Sequence, residues 1–534
     1  MNGSFIQSLP LVASALGRKY GIKIIIGGDQ AATNGDTIFL PGLPLDSPSE
    51  LVNIARGYLD HEAAHIRATN FKVLKSAKLT ALEMHIWNII EDYRVEKIMA
   101  GIFPGCRQNF RWLILHLFDH DQEGAPAIDR DFLNWLLLQH RSWSVPELQP
   151  RVECLERLIT TEAPGLIPGI QPTLKAIRLK CPDTRAAINY AKEIVQALTR
   201  YTSLSANLGG PVEPECQSGN AEQCHDSPSG EGDENSGSSI SALNSLIGIS
   251  ADALPASIEK LMEAVLSQAR TEASRGILNV ALECPKEMKP LPTNDLLDVQ
   301  KTAALLKCRL QSKLQSLTLK RATPGYRGKL DPNSVHKLFI SNPRIFRTDG
   351  FRVGLSTAVH MLVDTSGSMR NQMILASHAA FALCKALSAT PGVSVAATAF
   401  PGNQARRYKG KEKSWETVSP ILRHGQKIHS NFQLEADGGT PLGEAIWWVM
   451  QQMSSLTEQR KIIMILTDGE PDCLDNTKMA ISSASRNNFE LYGLGLGSQS
   501  IKELLPGHSV VINKLAELPH RLFQVLSQAI QQAH

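Results

Sequence analysis

The chain has 534 residues, 43% of them hydrophobic and 20% charged, which is ordinary composition for soluble globular protein and length enough for roughly two to four domains. A net charge of only +3 excludes a globally basic binder of nucleic acid or of an anionic membrane. Nine cysteines, an odd number without regular spacing, fit reduced thiols in a cytoplasmic protein better than a disulfide framework.

Met1 to Gly17 carries no basic residue ahead of its short apolar stretch and so makes a poor signal peptide. No run reaches the roughly 20 apolar residues of a membrane span. Phe5 to Tyr20 reads as an amphipathic helix with Ile6, Leu9, Val12 and Leu16 on one face, closed by Gly21. Ile22 to Ile26 and Thr37 to Leu40 are β-rich runs, read as a hairpin or two neighbouring strands. Ser47-Pro48-Ser49-Glu50 then starts a helix carrying Leu51, Ile54, Ala55, Tyr58 and Leu59. A further helix covers about Leu82 to Ala100, and helical patterning broken by prolines continues from Arg111 to Thr202.

Residues 208–241 turn to Gly, Ser, Pro, Glu and Asp with few apolar positions, the composition of a flexible linker. Residues 242–325 return to helical periodicity, ending at Pro324-Gly325. From Thr357 onward strands and helices alternate: a strand to Asp364, helix Gln372 to Leu387, strand Val393 to Phe400, helix Leu442 to Ser455 and strand Lys461 to Thr467. Helix Asn476 to Arg486, strand Phe489 to Leu496 and a last helix Pro519 to Gln532 follow. That alternation predicts an α/β doubly wound parallel sheet over 326–534, with its core at 355–534.

Two constellations carry chemistry. In the first, the apolar run His360 to Val363 ends in Asp364-Thr365-Ser366-Gly367-Ser368, Gly439-Thr440-Pro441 opens a helix, and Ile462 to Leu466 leads into Thr467-Asp468-Gly469. Asp364, Ser366, Ser368, Thr440 and Asp468 are hard oxygen donors suited to Mg2+. In a shell made largely of neutral hydroxyls the ion stays electrophilic and accepts a carboxylate from another protein.

In the second, His61 and His65 lie four apart on a helix and face one side, with Glu62 beside them placed as a base: His61-Glu62-Ala63-Ala64-His65. Glu91 or Asp92 on the next helix supplies a third ligand for Zn2+, Glu91 being the first choice and Asp92 the runner-up, since adjacent helical residues point about 100° apart. Cys216, Cys224 and His225 lie in the linker without a fourth ligand, and the basic stretch Arg406 to Lys413 reads as a solvated loop. Trp447 or Trp448 is expected in the core.

The Asp-x-Ser-x-Ser, Thr, Asp series resembles the metal-ion-dependent adhesion site of von Willebrand factor A (VWA) domains. From Gly328-Lys329-Leu330-Asp331 through Ile345-Phe346-Arg347 to Asp364 and Arg370 the chain resembles the CobT-type VWA subunit of aerobic cobaltochelatase. Trp87 to Asp92 and His61 to His65 look like the zincin-like, metallopeptidase-like region found ahead of some bacterial VWA domains. The resemblance implies a multidomain protein: a mostly α zincin-like domain at 1–207, the linker 208–241, a helical region 242–325 and a Rossmann-like VWA domain. It also implies a AAA+ ATPase partner of MoxR or chelatase type, which must be a separate polypeptide because this chain has no Gly-x-x-x-x-Gly-Lys-Ser/Thr loop. The expected role is an intracellular adaptor docking through Mg2+, with a zinc metallopeptidase or a chelatase subunit acting on a tetrapyrrole as alternatives.

Overall fold

A computed structural model describes residues 9–28, 31–33, 36–118, 127–208, 234–271, 276–318, 323–330, 332, 346–348, 356–403 and 415–522. Cys216, Cys224, His225, the stretch Arg406 to Lys413 and much of 326–355 lie outside the described residues.

The first part runs α1 (Leu9–Tyr20), β1 (Lys23–Ile26), β2 (Ala32–Thr33), β3 (Thr37–Leu40), β4 (Leu43–Pro44) and α2 (Ser49–Ala68). Next come α3 (Phe71–Ala77), α4 (Ala81–Ile102), α5 (Pro104–Leu117), α6 (Ile128–Ser142), α7 (Gln149–Glu162), α8 (Leu166–Leu179) and α9 (Thr184–Leu208). The two β-rich runs do not form a hairpin. β1 and β3 pair in parallel, and the antiparallel partner of β3 is the short β2. α4 begins where Thr80 and Glu83 close a reciprocal capping box, which satisfies two amides that the first turn would otherwise leave unpaired.

The stretch read as linker to residue 241 ends earlier. Glu234–Ile247 is helix α10, whose Leu243 and Leu246 are buried with the apolar residues of α6 to α9. α11 (Ile258–Thr271) is not a separate helical region either, because Ile258, Met262 and Leu266 recur every four residues and bury against the α2 core. β5 (Ile277–Leu278) then pairs with β4, and β6 (Leu282–Glu283) pairs with a strand of the C-terminal sheet. Residues 276–291 thus form a strap from the helical part to the α/β part.

After α12 (Thr293–Thr318) and the small strands β7 (Thr323–Gly325), β8 (Lys329–Leu330) and β9 (Phe346–Thr348), the α/β part follows. It comprises β10 (Thr357–Asp364), α13 (Met373–Ser388), β11 (Val393–Phe400), β12 (Thr417–Leu422), α14 (Leu442–Met453) and β13 (Arg460–Thr467). α15 (Leu474–Arg486), β14 (Phe489–Leu496), α16 (Ser500–Leu504) and β15 (Ser509–Ile512) complete it. The sheet order is β15-β14-β13-β10-β11-β12-β6. β12 and β15 were not evident as strands in the sequence; β12 contains Pro420 and runs antiparallel to β11, an arrangement that carries no continuous apolar run.

Every residue of β10 is buried, as expected of a central parallel strand covered on both faces. β10 lies between β11 and β13, so the chain direction across the sheet reverses there. The carboxyl ends of strands at such a reversal form the crevice where open α/β sheets place ligands. The apolar core of α1, β3 and α2 continues into α14, where both Trp447 and Trp448 are buried, and on to β13.

Candidate functional sites

The first site is assembled at that crevice. Asp364 ends β10 fully buried; its Oδ1 accepts the Ser366 amide at 2.8 Å and its Oδ2 the Thr467 hydroxyl at 2.5 Å. Ser366 and Ser368 hydroxyls stand 3.1 Å apart, and Ser368 donates to Asp468 Oδ1 at 2.8 Å. Gly469 closes the floor: a Cβ there would lie 3.3 Å from Ser368 Oγ and 3.9 Å from Thr440 Oγ1. Asp364, Ser366, Ser368, Thr440 and Asp468 therefore share one cradle, with Ser368 exposed at its rim.

Burial pushes the Asp364 carboxyl up to about 6 against its bonds to Thr467 and Ser366, and the charge of Asp468 adds to the rise. Two carboxylates and hydroxyls converging with few donors are the donor set of a hard divalent cation. Two supporting residues escaped the sequence reading. Thr467 holds Asp364, and Asp472 Oδ2 accepts the Thr440 amide at 2.6 Å. The signal for Asp472 was its place in the turn after Asp468-Gly469. Asp472→Ala is expected to weaken Mg2+ binding about tenfold by loosening Thr440, checked by titration calorimetry.

The second site lies between α2 and α4. Among the described residues one group of three His, Cys, Asp or Glu side chains brings ligand atoms within 4.8 Å of one another: His61, His65 and Asp92. His61 Nε2 is 3.9 Å and His65 Nε2 is 3.0 Å from Asp92 Oδ1. The other ring nitrogens are taken up. His61 Nδ1 meets Glu96 Oε1 at 2.9 Å, and His65 Nδ1 meets Thr69 Oγ1 at 3.1 Å. Thr69 donates its own hydroxyl proton to Glu91 Oε1 at 2.9 Å, so it accepts from His65 Nδ1–H and leaves Nε2 with its lone pair.

His65 Nε2 and Asp92 Oδ1 then face each other 3.0 Å apart, two atoms that can both serve as ligands to one cation. Histidines held through Nδ1 with Nε2 directed inward are how metal-ligating imidazoles are oriented. The residues present therefore fit a metal.

Glu91, the first choice from sequence, is placed elsewhere. Its oxygens take Arg94 at 2.8 and 2.6 Å together with Thr69 and Thr184. Asp92, the runner-up, faces the histidines, because the helix can present only one of two adjacent residues to them. Glu96, one turn on from Asp92, was missed, as was Arg141 of α6, which bonds Glu96 Oε2 at 2.5 Å and Asp92 Oδ2 at 3.0 Å. The i, i+4 spacing of two acids was a readable signal for Glu96; nothing local marked Arg141.

Burial would raise the Asp92 and Glu96 carboxyls, but both are held below the ordinary carboxylate range, Asp92 chiefly by His61 and Glu96 chiefly by Arg141. Burial opposes protonation of His61, yet Asp92, Glu96 and Glu62 outweigh it and bring that ring up to about 9. Glu62 is buried with Oε1 lacking a partner among the described residues, and burial followed by the charge of Glu259 on α11 pushes it up to about 8. Glu91→Gln is expected to cost about 3–5 kcal/mol, because it strips the buried Arg94 of its charge partner; denaturant unfolding measures it.

A family model of the von Willebrand factor type A domain matches residues 359–470, the segment carrying Asp364, Ser366, Ser368, Thr440 and Asp468. Residues 359–470 thus lie in a VWA-like α/β domain. A second model, described as cobalamin biosynthesis protein CobT, matches residues 2–123. That match falls on the segment with His61, His65 and Asp92, away from the 328–370 stretch whose residues carry the resemblance in sequence.

Similar solved structures include the manganese-loaded TRAP protein of Plasmodium vivax, at 13% identity and TM-score 0.25 over 32% of this chain and 74% of that one. Proximal thread matrix protein 1 from the mussel byssus matches at 13% and 0.26 over 33% and 48%. The vWF domain of the type V pili tip protein Mfa5 from Porphyromonas gingivalis matches at 12% and 0.25 over 34% and 97%. At these scores none bears on what this chain binds. Comparison with curated proteins gives no match. Among the described residues no helix is long and apolar enough to cross a membrane.

Proposed function

We propose that this chain is an intracellular metal-dependent adaptor that docks to a AAA+ ATPase of MoxR or chelatase type through its VWA domain. Mg2+ held by Asp364, Ser366, Ser368, Thr440 and Asp468 offers an open position to a carboxylate of the ATPase. The observation that carries this reading is the cradle itself, which gathers two carboxylates and three hydroxyls at an exposed rim of the sheet. When bound, the ion supplies the electrophile; the protein's part is to hold it by neutral donors so that it still attracts an incoming anion. Affinity purification from the native host tests it: a AAA+ ATPase should co-purify in Mg2+ and be lost in chelator, and no such ATPase in either condition sinks the reading.

The N-terminal region is proposed to hold Zn2+ through His61, His65 and Asp92. Within this role a chelatase-type function in cobalamin biosynthesis is supported by the CobT match over that segment. A peptidase role is less well supported. A pocket that reaches Asp92, lined by His85, Asn88 and residues 255–258 among others, has a volume of about 20 Å3, room for about one water, and neither His61, His65 nor Glu62 lines it. α11 packs over the Glu62 side of α2. Glu62→Gln should keep the metal, since Glu62 is not among the three ligating groups, and metal analysis checks this.

A further inference from the structure

Two strand edges face one cleft where the helical part meets the VWA domain. β1 is the outer strand of its three-stranded sheet and β6 the outer strand of the seven-stranded sheet. The Lys23 and Gly27 amides donate to Asp36 O and Leu40 O on the β3 side, so Ile24 and Ile26, of alternate phase, turn their backbone groups away from β3. The Leu282 and Cys284 amides donate to Glu416 O and Val418 O, so Glu283 likewise turns away from β12. The strap and β1 meet at one bond, Val280 N–H to Ile26 O at 3.0 Å. Past it the backbones of Ile24 and Glu283 have no bonding partner among the described residues.

Between the two edges lies a cavity of about 450 Å3, floored by Trp448, Gln451 and Gln452 of α14. That is within the range of ligand-binding clefts, about 300–1,000 Å3. Its walls are unlike. Arg18 and Lys23 stand exposed on the β1 side, Arg18 held in place by Gln451 O and Ser454 Oγ. On the strap side the Glu283 carboxylate is already paired with Arg423.

We propose that this cleft is a strand-addition site, filled by an extended segment of a partner protein that is apolar at alternate residues and carries an acidic side chain. Unused donors and acceptors on a strand edge are a template for another backbone. Here the two unpaired residues, Ile24 and Glu283, line one cavity, and an extended chain has bonding groups on both of its sides with which to meet them. On β1 the guest bonds Ile24, because the strap already occupies Ile26 O. Its apolar residues meet Ile24, Leu282 and Trp448, and its acidic residue meets Arg18 and Lys23.

The test uses the full chain and phage-displayed random octapeptides, counter-selected on Ile24→Pro. Proline there removes an amide proton that the β1–β3 ladder does not use, at the kind of edge position where proline is tolerated. The expected winners alternate apolar residues and include Asp or Glu. As synthetic peptides they bind wild type at least about tenfold tighter than Ile24→Pro, and methylation of alternate peptide amide nitrogens weakens them by at least about tenfold. Amide exchange at Ile24 and Glu283 slows by a similar factor on binding. The last two readouts need only wild-type protein, so they decide the matter should Ile24→Pro not fold. No clone enriched on wild type, equal binding of the methylated peptide, or binding without slowed exchange at these amides overturns the proposal.

Discussion

Asp364→Ala is expected to lower Mg2+ affinity of the VWA site by about 100-fold or more and, with the metal as the proposed bridge, to abolish ATPase association in the same preparation. Asp364 is the one carboxylate of the cradle held from two sides, by the Ser366 amide and the Thr467 hydroxyl. Removing it leaves both donors buried without an acceptor, at about 1–3 kcal/mol each, so Asp364→Asn is the cleaner partner variant: its amide oxygen still accepts from Ser366 while the charge is gone. Both variants should lose Mg2+ by calorimetry, with Asp364→Asn closer to wild type in thermal unfolding. If Asp364→Asn failed to bind metal yet still captured the ATPase as tightly as wild type, docking would not run through the ion.

The two aspartates of the cradle could be picked out in the sequence because they follow two apolar runs, His360 to Val363 and Ile462 to Leu466, that read as buried parallel strands. The sheet order then brings β10 and β13 side by side, and the paired ends do the rest. Short edge elements carry no such signal. β12 with its proline, the two-residue β6 and the strap that supplies it depend on contacts far apart in the chain, as when Leu282 and Cys284 bond to Glu416 and Val418. α10 was hidden by Gly and Ser in its first turns, and only packing of Leu243 and Leu246 reveals why it forms.

The same limit explains the exchange of Glu91 for Asp92. Helical geometry said that one of the two faces the histidines; which one depends on where Arg94 and Arg141 sit, and those cations belong to different surroundings. Arg94 takes Glu91 from three residues away on the same helix, whereas Arg141 reaches Asp92 and Glu96 from α6. A sequence pattern of two adjacent acids contains nothing of that.

Zinc analysis of the full chain should give about one equivalent, the content of a two-His, one-carboxylate site with a position left open, and His65→Ala should bring it to background. Asp92→Asn is expected to do nearly the same, because it replaces the oxygen on which both Nε2 atoms converge. Glu91→Gln is the contrasting variant: it loses stability through Arg94 but keeps its zinc wherever it remains folded. Glu96→Gln should weaken zinc by about 10–100-fold without abolishing it, since Glu96 acts on the metal only by orienting His61 Nδ1. Measured by competition with a chelating dye, the order of loss is His65→Ala and Asp92→Asn first, Glu96→Gln next and Glu91→Gln last. Zinc lost in Glu91→Gln but retained in Asp92→Asn would restore Glu91 as the ligand, and a wild-type chain that takes up no zinc would remove the N-terminal metal altogether.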